Sequence, residues 1–168
     1  MRQFHDFLRM KILWAPWRMK YIRSCSKDVE CFLCRALSED KDEENLILFR
    51  GERSFIIMNR YPYNNGHLMI APKRHVGDLL QLNDEELIEI IKMVKLAVKA
   101  LKSEYNPDGF NIGLNLGRAA GAGLEDHLHI HIIPRWIGDT NFMPIISETK
   151  TIPELLTETY SRLKKYFE

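Results

Sequence analysis

HLHIHIIPRW, residues 127–136, sets three histidines at alternate positions on an apolar background. In a strand, residues i, i+2 and i+4 point to one face. His127, His129 and His131 would then share a side, each roughly 6–7 Å from the next, while Leu128, Ile130 and Ile132 turn to the core. Three of the chain's six histidines fall within five residues. Ser, Thr or Lys would solvate a strand face as well, so a merely wetted surface explains the pattern poorly. Two chemical readings remain. Alternate histidines often supply two metal ligands, although the Asp-His that would complete a binuclear site is replaced here by Ile-Ile-Pro. Alternatively, a neutral imidazole can attack phosphorus and form a phosphoramidate, with its neighbours holding the phosphate charge and assisting the leaving oxygen.

Around this stretch the chain reads as alternating strands and helices. NLILFR (45–50) and RSFIIM (53–58) are β-forming runs split by Gly51-Glu52, which predicts a hairpin. NRYPYNNG (59–66) is dense in turn residues, and HLMIAP (67–72) follows as a third strand. Residues 84–103 predict a long helix: Leu87, Ile91, Val94, Val98 and Leu101 recur at helical spacing, with Asn83 as cap and Glu86 completing a capping box. FNIGLN (110–115) and 127–133 predict two more strands, and a terminal helix should begin near Pro153. SEDKDEEN (38–45) reads as a solvated turn. Strands, helix, strands, helix imply an α+β domain on an antiparallel sheet.

With 168 residues, the chain is expected to form a single domain spanning 1–168, with residues 1–12 as an N-terminal extension. Lys and Arg number 24 against 23 Asp and Glu, which argues against a dedicated nucleic-acid binder but leaves room for a local anion pocket. No apolar run approaches the roughly 20 residues of a membrane span. MRQFHDFLRMKILWAPWRMK lacks the apolar middle of a signal peptide, so a cytoplasmic location is expected. In a reducing compartment Cys31-Phe-Leu-Cys34 is a metal or redox pair, or two small buried hydrophobes, rather than a structural disulfide. Cys25 has no evident partner in the sequence.

HLHIHII matches the signature His-φ-His-φ-His-φ-φ (φ apolar) of the histidine-triad superfamily, and GHLMIAPKRHV (66–76) resembles that family's upstream strand and turn. The resemblance runs from about Leu13 to Asn141. It implies a five-stranded antiparallel sheet with a long central helix and a C-terminal helix, a nucleotide substrate, and a homodimer. LWAPWRMKYI (13–22), GLNLGRAAGAGLEDHLHIH (113–131) and PRWIGDTNFMP (134–144) resemble bacterial diadenosine tetraphosphate phosphorylases, which use inorganic phosphate as co-substrate. A phosphorylase or nucleotidyl transferase is therefore expected. Hydrolysis of dinucleoside polyphosphates or nucleoside phosphoramidates is the alternative, and a zinc-stabilised nucleotide-binding module with little turnover is a third.

Carried onto this chain, the resemblance makes His129 the nucleophile, His131 the phosphate and leaving-group contact, and His67 a further catalytic histidine. Asn59 and Asn115 fall at ribose- or phosphate-binding positions, and Trp136 at a substrate contact. GRAAGAG (117–123) has neither the Lys-Ser/Thr ending of a P-loop nor dinucleotide-binding GxGxxG spacing. The resemblance favours a loop whose amides, at Gly121 and Gly123 among others, cradle phosphate. Cys31, Cys34, His75 and His127 resemble the structural zinc site of several histidine-triad and galactose-1-phosphate uridylyltransferase relatives. On that reading the three histidines have three jobs, and zinc on His127 would fix the strand that aims His129.

Overall fold

The computed structural model describes residues 31–139 and 151–168. The N-terminal extension, LWAPWRMKYI, Cys25 and the end of the PRWIGDTNFMP stretch lie outside the described residues. In chain order the described elements are α1 (Phe32–Ser38), α2 (Asp42–Asn45), β1 (Ile47–Arg50), β2 (Ser54–Met58), β3 (Leu68–Pro72), α3 (Asp84–Tyr105), β4 (Gly109–Leu114), β5 (Ile130–Arg135) and α4 (Leu156–Lys164). One five-stranded sheet has the order β1-β2-β3-β5-β4, with every pairing antiparallel.

Apart from Ser54, the strands β2 and β3 are apolar because both faces of the sheet are covered there. Every residue of β2 and of β3 is buried. Ile56, Met58, Leu68, Ile70 and Ile132 join Ile90, Met93, Ala97 and Leu101 of α3 and Leu163 of α4 in the main core. Phe55, Ile57, Met69 and Ala71 pack on the opposite face with Leu33 and Ala36 of α1. His131 pairs with Met69 across β3 and with Gly113 across β4. The catalytic candidates therefore lie on the sheet face away from α3.

Local signals were obeyed where they were strong. Asn83 Oδ1 accepts the Glu86 amide at 2.8 Å and Glu86 Oε2 accepts the Asn83 amide at 3.0 Å, which makes the expected capping box. The buried stripe of α3, however, is Ile90, Met93, Ala97, Ala100 and Leu101. Ile91 is 62% exposed, so the expected stripe is rotated from the true one. SEDKDEEN contains the short helix α2 where a turn was expected. The terminal helix starts at Leu156, three residues after Pro153. The helix α1 was not expected at all.

Helix α4 also closes one side of the sheet. β1 has a register shift between Ile47 and Phe49, and there Tyr160 Oη donates to Ile47 O at 3.1 Å and Lys164 Nζ to Leu48 O at 2.9 Å. β4, at the other edge, leaves Ile112 48% exposed. Among the described residues no helix is long and apolar enough to cross a membrane.

Candidate active site

The regular strand begins at Ile130, so only His131 of the three histidines stands on it. His127 and His129 occupy the extended approach to β5, which is guided by a bond from the Leu128 amide to Val76 O at 2.7 Å. The histidines are consequently not one row. His129 and His131 lie edge to face with ring centroids 4.8 Å apart, whereas the fully buried His127 turns toward the two cysteines.

Hydrogen bonds to groups that can only donate, or only accept, assign the tautomers. His129 Nδ1 lies 2.9 Å from His127 O, a carbonyl, so Nδ1 carries the proton and Nε2 keeps a lone pair. The Tyr63 amide donates to His67 Nδ1 at 3.1 Å, and Asn59 Nδ2 approaches the same nitrogen at 3.3 Å. His67 is therefore protonated on Nε2, which donates to His131 Nδ1 at 2.9 Å. His131 must then carry its proton on Nε2. The group presents a lone pair at His129 and an N–H donor at His131, side by side.

Burial keeps these rings neutral. It lowers His129 from the usual imidazole value, against the opposing effect of the bond to His127 O. Burial, then the neighbouring His129, brings His131 down to about 4. His67, 2% exposed, is pushed to about 3 by burial and then by His131 and His129. At neutral pH all three are imidazoles, the form a nucleophile requires.

Cys31, Cys34, His75 and His127 place one ligand atom each within 4.8 Å of one another. Cys31 Sγ and Cys34 Sγ lie 3.2 and 3.4 Å from His127 Nδ1, and Cys34 Sγ lies 3.3 Å from His75 Nδ1. Tetrahedral zinc, with Zn–S ~2.3 Å and Zn–N ~2.0–2.1 Å, holds S and N about 3.5 Å apart. Pro72 O accepts the proton of His127 Nε2 at 2.8 Å, which turns the Nδ1 lone pair to the thiols. Donor set, spacing and tautomer all fit a tetrahedral zinc. Cys31 immediately precedes α1 and Cys34 lies within it, the β3–α3 loop supplies His75, and the approach to β5 supplies His127.

The remaining candidates are less uniform. Asn59 is held beside His67, with its Oδ1 accepting the Tyr61 amide at 2.9 Å. Asn115 follows β4, its Nδ2 3.4 Å from Gly121 O. Within GRAAGAG the amides of Ala120, Gly121 and Ala122 donate to carbonyls of Gly117 and Arg118. The Gly121 amide bonds within its own loop, to Arg118 O at 2.9 Å, and Gly123 makes no such bond among the described residues. Trp136 donates from Nε1 to Tyr105 O at 3.4 Å, which ties it to the end of α3. Sequence reasoning missed Tyr63, which packs on both His67 and His131, and the Pro72 carbonyl. The crowded turn signal at 59–66 marked that loop but not its contact.

Residues 40–136 match the family model of the HIT domain. The chain is 40% identical over 158 residues to an AP-4-A phosphorylase of Mycobacterium tuberculosis, covering 90% of this chain and 81% of the relative. It is 35% identical over 89 residues to a bis(5'-adenosyl)-triphosphatase of Dictyostelium discoideum, covering 53% of this chain and 59% of that one. Among solved structures, a hypothetical histidine triad nucleotide-binding protein of Sulfolobus tokodaii matches at TM-score 0.64 and 32% identity, covering 81% of this chain and 88% of the other. The sheet order, the paired histidines and these likenesses agree: this chain is a member of the HIT, or histidine-triad, family of enzymes.

Proposed function

We propose that the protein is a nucleotidyl transferase that cleaves diadenosine tetraphosphate with inorganic phosphate to give ATP and ADP. The observation that carries this reading is the tautomer of His129: Nδ1–H is tied to His127 O, so the Nε2 lone pair stands beside the His131 donor. His129 Nε2 attacks the α-phosphorus, the P–N bond forms, and the bond to the departing polyphosphate oxygen breaks. The neutral His131 donates a hydrogen bond from Nε2–H to that oxygen and stabilises its charge as it leaves as ATP, no proton being transferred. Inorganic phosphate then attacks the adenylyl-His129, yielding ADP and restoring the imidazole. In this scheme His67 holds His131 in the donating tautomer, Asn59, Asn115 and the Gly121–Gly123 turn bind ribose or phosphate, and Trp136 contacts the substrate. The 40% identity to an AP-4-A phosphorylase supports the phosphorolytic route.

Cys31, Cys34, His75 and His127 would hold a structural zinc, whose contribution is to lock His127 and so the carbonyl that orients His129. A cytoplasmic setting, which keeps such thiols reduced, belongs to the same reading. So does a homodimer formed through the β4 edge, supported by its exposed Ile112 and by Leu116, 47% exposed; the molar mass in solution by light scattering tests it.

Incubation with diadenosine tetraphosphate, with and without inorganic phosphate, tests the function. Phosphate-dependent ADP plus ATP supports it. AMP plus ATP regardless of phosphate would mean that water resolves the intermediate, making the protein a hydrolase with the same nucleophile. Tight nucleotide binding without any product would leave only a binding module.

A further inference from the structure

We propose that Tyr63 is the contact for the departing nucleotide, its ring serving as a stacking platform for the base of the half that leaves from His131. This rests on the reading of His129 and His131 given above. Residues 59–66 form a loop fastened by side chains at both ends. Asn59 Oδ1 takes the Tyr61 amide, Asn64 Nδ2 donates to Pro134 O at 3.0 Å and Asp139 Oδ2 at 2.8 Å, and Asn65 Nδ2 donates to Glu154 Oε2 at 3.1 Å. The loop is set before any ligand arrives, so little ordering opposes binding.

Against that fixed frame the Tyr63 side chain stands 57% exposed. Its amide serves His67, but any residue except proline offers an amide, so the ring is not needed for that bond. Its ring centroid lies 4.8 Å from His67 and 5.9 Å from His131. One side of the ring thus meets the histidine that faces the leaving oxygen, and the rest is open to solvent. A rigid, half-exposed aromatic ring at the exit of the reaction is suited to a nucleobase, because every base offers a π-face. A substrate without a second nucleoside gains nothing from it.

The test compares diadenosine tetraphosphate with adenosine tetraphosphate, which lacks only the second nucleoside, in the intact protein, Tyr63→Ala and Tyr63→Phe. The intact protein should prefer the dinucleotide in kcat/KM. Tyr63→Ala should lose about tenfold or more on the dinucleotide, chiefly through KM, and keep its rate on adenosine tetraphosphate. Tyr63→Phe should behave as the intact protein. Equal losses on both substrates would overturn the proposal and make the ring a brace for His67 and His131. No loss on either would overturn it as well. If the intact protein cleaves neither substrate, the nucleotidyl-transfer reading itself fails and this one falls with it.

Discussion

Replacing Gly77 by alanine should damage the site from outside it. Gly77 follows His75 by two residues, and its Cα faces the backbone of Glu125 and Asp126, just before His127. An added Cβ would stand 2.9 Å from Asp126 Cα and 3.1 Å from its carbonyl carbon, with Glu125 O nearer still. All three are backbone atoms, so no flexible side chain can move aside. The 125–127 segment must retreat by on the order of 1 Å to regain ordinary contact. That strains or breaks the bond from the Leu128 amide to Val76 O, now 2.7 Å. Overpacking costs about 1–3 kcal/mol and the bond about 1 kcal/mol, so Gly77→Ala should lose roughly 2–4 kcal/mol. For a chain of this size that lowers Tm by roughly 5–15 °C. Because the displaced segment carries His127 O, on which His129 is oriented, turnover should fall by about 100-fold. Thermal melting and initial rates on diadenosine tetraphosphate measure both. Gly109→Ala, where an added Cβ meets nothing within 4 Å, is the control. If Gly77→Ala melts within about 2 °C of the control and turns over normally, the close approach does not position the site and the reasoning is wrong.

His129→Ala should abolish turnover while the melting curve survives; substantial residual activity would count against a covalent route. Protein purified without chelator should contain about one zinc per chain, and both a chelator and Cys34→Ser should lower its Tm; metal-free protein that melts the same with or without chelator would sink the zinc site. Stability should also depend on pH through His67 and His131. Both bind protons less tightly in the folded chain, about 3 and about 4 against the usual 6.5, so their contribution is complete above pH 6.5 and is lost as pH falls toward 4. Urea midpoints from pH 7 to 4.5 should fall, and less steeply in His67→Asn; an equal slope in the variant would refute the assignment.

What could be read from the sequence was what neighbouring residues decide. The Asn83–Glu86 box joins residues only three apart, so the start of α3 was plain. The hairpin of β1 and β2 was plain for the same reason. The phase of α3 was not, because Leu87-Ile88 and Ile90-Ile91 put apolar residues on both sides of the true stripe; only the sheet decides which side is buried. The helix α1 has no side-chain cap at Cys31, and its apolar Leu33 and Ala36 acquire a partner only once β2 and β3 expose a second face. At the site, the alternation of HLHIHII correctly paired His129 with His131. It could not by itself give His127 its separate task, because the Pro72 carbonyl and the cysteines beside its ring come from segments 55 and more residues away; the resemblance supplied that grouping, and the structure brings the four side chains together. The glycine-rich loop looked like a row of available amides, yet three of them are spent on the loop's own turns.

The two borders of the sheet are unequal in a way that bears on how copies can meet. Along β1, Tyr160 and Lys164 have already satisfied carbonyls that another strand would seek. Along β4, no described element does the same. A strand border open on both sides invites endless growth, one copy after another. Here a second molecule that adds to β4 presents only its own sealed border or the β4 just consumed. Were copies to pair through β4 as proposed, growth along the sheet would stop at two, because the C-terminal helix, far in sequence from the histidines, already occupies carbonyls of the opposite border.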